Sequence, residues 1–279
     1  VREMLPGVDA VLSGLALYLA DNGLLAAPRG WNFCDWVPTW QAGIPPQGVE
    51  GFSALLNLQY LYALQRGTWL HEAFGNQHLA AHWQQVADQL KQAIVRTYWD
   101  ETRGLLADDP AHSLYSEHVQ ALAILTGTLD ADRQAVMVRN LLTTDMARCT
   151  VYFSHYLLEA LAQVGEMQAF FRRLEFWFDL SAKGFKTVLE SPEPSRSDCH
   201  AWGAHPIYHY FTSILGAKPT APAAGRLRIA PQPGPLTSLK GAFAHVNGQV
   251  AFDLQVADSQ LKGTISLPES VTATLVWQG

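Results

Sequence analysis

The densest run of chemistry-bearing side chains lies between Thr187 and Trp202: Thr-Val-Leu-Glu-Ser-Pro-Glu-Pro-Ser-Arg-Ser-Asp-Cys-His-Ala-Trp. Glu190, Glu193, Arg196, Asp198, His200 and Trp202 fall within 13 consecutive positions. A carboxylate beside a cation, an imidazole and an indole is equipment for moving protons on a bound polar substrate. Pro192 and Pro194 stiffen the segment by fixing their own backbone torsions. Read structurally, Ser197 or Asp198 caps the helix that follows and Arg196 serves an ion pair. That reading leaves Glu190 and His200 unexplained.

A second cluster is Trp31-Asn-Phe-Cys-Asp-Trp36, followed by Trp40 and a Gly/Pro-rich stretch from Gly43 to Gly51. Two accounts fit it. In one, Trp31 and Trp36 wall a sugar while Asp35 binds its hydroxyls. In the other, the loop is simply packed and Asp35 caps a turn. Tyr152 and His155, and the pair Glu117-His118, stand early in apolar helical stretches, where cavity-lining residues belong. His205 and His209 have the i, i+4 spacing of two metal ligands on a helix. No third ligand adjoins them in the sequence, so no metal is expected. His71, His78 and His82 flank a helix with one wet face and are expected at the solvent. No nucleotide-binding or nucleophile-elbow motif occurs, so no cofactor is expected.

The surrounding chain bounds these possibilities. It has 279 residues, 48% hydrophobic and 16% charged, enough apolar material to exclude disorder. A net charge of −6 argues against a nucleic-acid partner. No apolar run approaches the roughly 18–20 residues of a membrane span, so no membrane partner is expected. Val1 stands first with neither Met nor a signal peptide, so this N-terminus need not be the native one; the compartment is left open, with a soluble, cytoplasmic location slightly favoured. Three cysteines, Cys34, Cys149 and Cys199, form neither a disulfide framework nor a zinc pattern. Nine Trp and nine Tyr at low charge density suit a neutral ligand such as a carbohydrate as well as they suit a core.

Up to about Gly216 the pattern is helical. Met4, Leu5, Val8, Leu12, Leu15 and Leu19 make one stripe. Residues 52–64 are apolar on nearly every face, whereas Leu79, Trp83, Val86, Leu90 and Ile94 form a single stripe. The alternation repeats at 113–127 against 130–142 and at 151–164 against 167–180, and a last helix is expected from about Cys199 to Leu215. Buried and half-exposed helices in alternation predict two concentric rings, an α/α toroid. About eight helices are expected, four inner and four outer. Loops at about 24–50, 101–113, 143–151 and 182–198 would line its mouth. Residues 217–225 read as a Pro/Ala linker. Beyond it, period-two runs at 226–230, 249–256, 260–267 and 272–277, with Asn247-Gly248 as a turn signal, predict a small antiparallel β-sandwich. The expected domains are thus 1–216, a linker at 217–225, and 226–279.

Ser195-Arg-Ser-Asp-Cys-His-Ala-Trp-Gly-Ala-His-Pro206, with Tyr208 and Ile214-Leu-Gly216, closely resembles the C-terminal part of bacterial α-L-rhamnosidases, glycoside hydrolase family 78. Trp31-Asn-Phe-Cys-Asp-Trp36, Asn57-Leu-Gln-Tyr-Leu-Tyr-Ala63 and Leu227-Arg-Ile-Ala-Pro-Gln-Pro233 carry the same resemblance. It implies an (α/α)6 toroid, of which the eight helices counted here make an incomplete part, with a C-terminal β-sandwich and inverting hydrolysis of a terminal α-L-rhamnoside. It places the general base at Glu190. The position two before this Glu is often aromatic in the family and is Val188 here. The general acid is expected upstream of Val1, so the chain taken alone is expected to be inactive; an incomplete ring leaves the flank of the 51–66 helix bare, so the chain is also expected to be marginally stable or self-associating. Trp31, Asp35, Trp36, Arg196, His200 and Trp202 are the expected sugar contacts. The alternatives are a non-catalytic carbohydrate-binding or structural toroid, and a toroid glycosidase for another sugar.

Overall fold

The computed structural model describes residues 1–277. The chain forms two compact units: Val1–Ala160 with Ser191–Pro194, and Leu161–Glu190 with everything from Ser195 onward.

The first unit is helical. It comprises α1 (Leu5–Ala16), α2 (Ala54–Ala73), α3 (Gln77–Tyr98), α4 (Glu117–Thr126) and α5 (Ala131–Thr143); α6 (Ser154–Gln163) runs across its boundary. A short antiparallel pair, β1 (Trp99–Asp100) and β2 (Leu105–Leu106), follows α3. The expected alternation is present. Helix α2 buries Leu55, Leu58, Tyr60, Leu61 and Leu64, most of its circumference, because α1, α3 and α4 each pack on it. One stripe of it, Gln59, Tyr62, Ala63, Arg66 and Trp69, stays partly open, with Trp69 61% exposed, in keeping with the expected bare flank. Helix α3 buries only the stripe Ala80, Trp83, Ala87, Leu90, Ile94 and Tyr98. Helix α4 is enclosed from His118 to Ile124, whereas α5 buries just Met137, Val138 and Leu141. Local signals set the ends: Ser116 caps α4 and Asp130 caps α5 through their side chains, and Gly127 closes α4 in the left-handed conformation.

Polar ties fix the first three helices together. Asp9 on α1 accepts from His71 Nε2 at 2.8 Å and from Trp83 Nε1 at 2.9 Å, linking α2 and α3. His71 is thus fully buried rather than solvent-facing, a placement that only its partner on another helix permits. Tyr60 donates to the Leu12 carbonyl at 2.9 Å.

The second unit holds α7 (Met167–Ala182), a broken helical segment, and the β-strands. The single helix expected from Cys199 to Leu215 is a 3-10 turn (Ala201–Ala204), one turn of α-helix, α8 (Pro206–His209), and a π-helical turn (Tyr210–Ile214). Pro206 has no N–H to continue the ladder. β3 (Ala217–Pro219) pairs with β4 (Arg226–Ile229), so the expected linker begins as a strand. β5 (Ser238–His245), β6 (Gly248–Ala257) and β7 (Gln260–Ser266) form an antiparallel meander. β5 has no counterpart among the expected runs; its alternation is weakened by Gly241 and two alanines. β8 (Thr272–Leu275) pairs with β4 in parallel, a correction to the purely antiparallel expectation. The whole meander lies between them, long enough for the crossover that parallel pairing needs.

These strands share a core with the helices of their unit. Phe211 meets Phe243 edge-on at 5.4 Å, and Gly234 approaches Phe171 and Met167 so closely that a Cβ would lie 2.6 Å from the Phe171 ring. The second compact unit thus groups α7 and the broken helical segment with the strands. Among the described residues, no helix is long and apolar enough to cross a membrane.

Candidate active site

In the first unit, the loop after α1 is pinned to α2 by Asn57. Its amide accepts from Leu25 N–H at 2.7 Å and donates to the Leu25 carbonyl at 3.0 Å. Further along, Asp35 is fully buried. Its Oδ2 accepts from Thr150 N–H at 2.7 Å and from His118 Nε2 at 2.8 Å. Its Oδ1 accepts from Trp36 N–H at 3.0 Å and from the Thr150 hydroxyl. A carboxylate offers about four lone-pair sites, and all are taken. Asp35 has neither surface nor acceptor left for a sugar hydroxyl, which corrects its expected role. His118 itself is clasped between Trp40 and Phe153, each with ring centroids 4.6 Å away.

Around this buried pair stands an aromatic group. Phe33 lies 5.3 Å from Trp31, 4.8 Å from Trp36 and 6.5 Å from Tyr152. Trp31 is 63% exposed, and Phe33, Trp36 and Tyr152 are half-buried. Trp31 and Trp36 are thus available to stack on an apolar sugar face. Gly43 makes the packing possible. Its φ is +71°, and a Cβ there would come within 2.5 Å of the Phe33 ring. A cleft of about 590 Å³ borders the same loop, lined by uncharged groups including Asn32, Thr39, Trp40, Gln41 and Gln47.

In the second unit, the segment around Glu190 is held by backbone and indole. Glu190 N–H donates to Ser197 O and His200 N–H to Val188 O, each at 2.9 Å. Trp202 Nε1 donates to the Glu190 carbonyl at 2.6 Å, and the His200 ring packs edge-on against Trp202 at 4.0 Å. Arg196 Nη1 lies 3.7 Å from Glu190 Oε1; the arginine side chain is 63% exposed and the glutamate 12%. The structure thus gathers Glu190, Arg196, His200 and Trp202 in one unit, and Trp31, Asp35 and Trp36 in the other. Val188 lines a cleft of about 440 Å³ with Trp177, Phe185 and Tyr210. His205 and His209 lie with ring centroids 5.5 Å apart, and His209 Nδ1 is 3.0 Å from Ser213 Oγ.

Three features escaped the sequence reading. Thr150 carried no signal. His118 stood out only as a polar residue early in an apolar helix. Asp108, in the loop before α4, is buried with Ser116 Oγ donating to its Oδ1 at 2.7 Å, and burial pushes its carboxyl up to about 7. Cys34 is also buried, its thiol pushed up to about 12 by burial, and is chemically quiet.

Residues 2–214 match the profile of the bacterial α-L-rhamnosidase six-hairpin glycosidase domain, and residues 216–278 that of the bacterial α-L-rhamnosidase C-terminal domain. No curated protein sequence matches the chain. Among solved structures, it resembles a family 78 rhamnosidase from Bacillus sp. GL1, with 26% identity over 98% of this chain and 31% of that one, at a TM-score of 0.82. A rhamnosidase from Klebsiella oxytoca solved with rhamnose bound gives 23% identity, 75% and 41% coverage, and a TM-score of 0.63. An α-L-rhamnosidase from Aspergillus terreus gives 17%, 100% and 34%, and 0.76. The latter two are likenesses of fold alone. The chain spans between 31% and 41% of the length of these three proteins. On the profile match, the chain belongs to the bacterial α-L-rhamnosidase six-hairpin glycosidase family and carries that family's C-terminal domain behind the helical one.

Proposed function

We propose that this chain supplies the general-base side of an inverting α-L-rhamnosidase. Glu190 removes a proton from the attacking water. Arg196 and His200 flank the sugar beside this base and Trp202 holds the base; within the first unit, Trp31 and Trp36 offer an aromatic face for carbohydrate. The observation that carries the reading is the family match over residues 2–214, within which Glu190 is a largely buried carboxylate on a segment fixed at both ends. Inversion also needs a carboxylic acid about 6.5–9.5 Å from the base, leaving room for the water. We assign that acid to a part of the relatives' length that this chain does not span, so the chain alone is inactive.

The test is hydrolysis of p-nitrophenyl α-L-rhamnoside by the whole protein, with proton NMR of the first sugar released. The β-anomer appearing first supports inversion. The α-anomer first, or full activity in residues 1–279 alone, overturns the mechanism. Binding of rhamnose without turnover would instead indicate a carbohydrate-binding toroid.

A further inference from the structure

The donors that fill the Asp35 carboxylate come from three separate places: Trp36 from its own loop, His118 from the first turn of α4, and Thr150 from the loop before α6. The aromatic residues ride on the same short stretches. Phe33 and Trp36 flank Asp35, and Tyr152 lies two residues after Thr150. Joining Asp35 to Thr150 therefore brings Phe33 against Tyr152 and sets the tilt of Trp31 and Trp36 above them. His118 anchors the junction to a helix that is itself enclosed.

We propose that Asp35, with His118 and Thr150, is a positioning residue: it locks the aromatic face on which the sugar ring stacks and touches no sugar itself. This rests on the rhamnosidase reading above. It differs from a direct contact in what its loss does. A stacking face grips ground state and transition state alike, so disordering it raises KM and spares kcat. In Asp35→Asn an amide N–H₂ replaces one acceptor oxygen and faces donors. Thr150→Val removes one donor and leaves the backbone N–H bond in place.

The experiment measures kcat and KM separately in the whole protein, alongside rhamnose titrations followed by tryptophan emission. For Thr150→Val the expected result is KM raised at least about threefold with kcat within about twofold, and a larger rise for Asp35→Asn. The emission midpoint should move to higher rhamnose in step, and Thr150→Ser should restore both. If Asp35→Asn does not melt cooperatively, the Thr150 pair decides. Wild-type KM and emission midpoint in folded Thr150→Val, or kcat lost at constant KM, overturns the proposal. If the wild-type protein hydrolyses no rhamnoside, the enzyme reading fails, and the titration alone decides the positioning role. A wild-type emission midpoint that the variants shift supports it, and no emission response to rhamnose at all overturns it.

Discussion

The Trp202 indole N–H donates to the backbone carbonyl of Glu190 at 2.6 Å. The ring that closes the Ser-Asp-Cys-His-Ala-Trp segment is therefore a strut for the residue assigned as base. Trp202→Phe keeps most of the packing and removes the strut. It is expected to lower kcat/KM by about 10- to 100-fold, the cost of a misplaced reacting group. Steady-state kinetics on a nitrophenyl rhamnoside checks it; wild-type kcat/KM would show that the segment holds itself.

Glu190→Gln is expected to cost about 10²–10⁴-fold in kcat, the usual worth of a general base. Its melting temperature should stay near wild type, because one polar loop side chain contributes little stability. Retention of a tenth of the activity or more would remove Glu190 from the mechanism.

Asp108 gives a pH signature. Its folded carboxyl titrates near 7 because it is desolvated, and its Oδ2 has no hydrogen-bond partner among the described residues. The unfolded chain titrates it near the ordinary value of about 4, so between roughly pH 4 and 7 the folded state holds the extra proton. Stability therefore falls as pH rises through that window and levels off above it. Asp108→Asn keeps the acceptor for Ser116 and removes the slope. At pH 8 it should be more stable than wild type by up to about 4 kcal/mol, a gap that closes below about pH 4. Urea unfolding at several pH values reads this directly.

Gly216 follows the helical segment with φ +67°, and a Cβ there would lie 1.9 Å from the Ala230 carbonyl oxygen. The contact joins the end of the π-helical turn to the residue after β4, so backbone must move to relieve it. Gly216→Ala should destabilise by at least about 2 kcal/mol, from strain and overpacking together. Thermal or denaturant melts of the two proteins measure the difference.

The three thiols should separate by burial. Cys199 is exposed, whereas Cys34 and Cys149 are buried. Ellman's reagent at neutral pH is expected to titrate one of these three thiols rapidly in the folded chain of residues 1–279 and all three in denaturant. Fast modification of a second native thiol would mean that a buried segment opens easily.

Periodicity alone made the helices legible. The wide burial of α2 and the single stripe of α3 follow from where Leu, Tyr and Trp recur, and that is a local property of the chain. The Glu190 segment was legible for a similar reason: its polar groups are neighbours in sequence, and its hydrogen bonds close within a dozen residues. Asp35 was not. Its deciding partners, His118 and Thr150, lie 83 and 115 positions away. His71 looked like a surface residue until Asp9, 62 positions earlier, gave it a buried partner. The parallel pairing of β8 with β4, and the grouping of α7 and the broken helix with the strands, depend in the same way on distant contacts. A residue's polarity and spacing determine which face it would occupy. Whether a buried carboxylate is a ligand or a strut depends on which donors fill its lone pairs, and only the folded chain brings those donors to it.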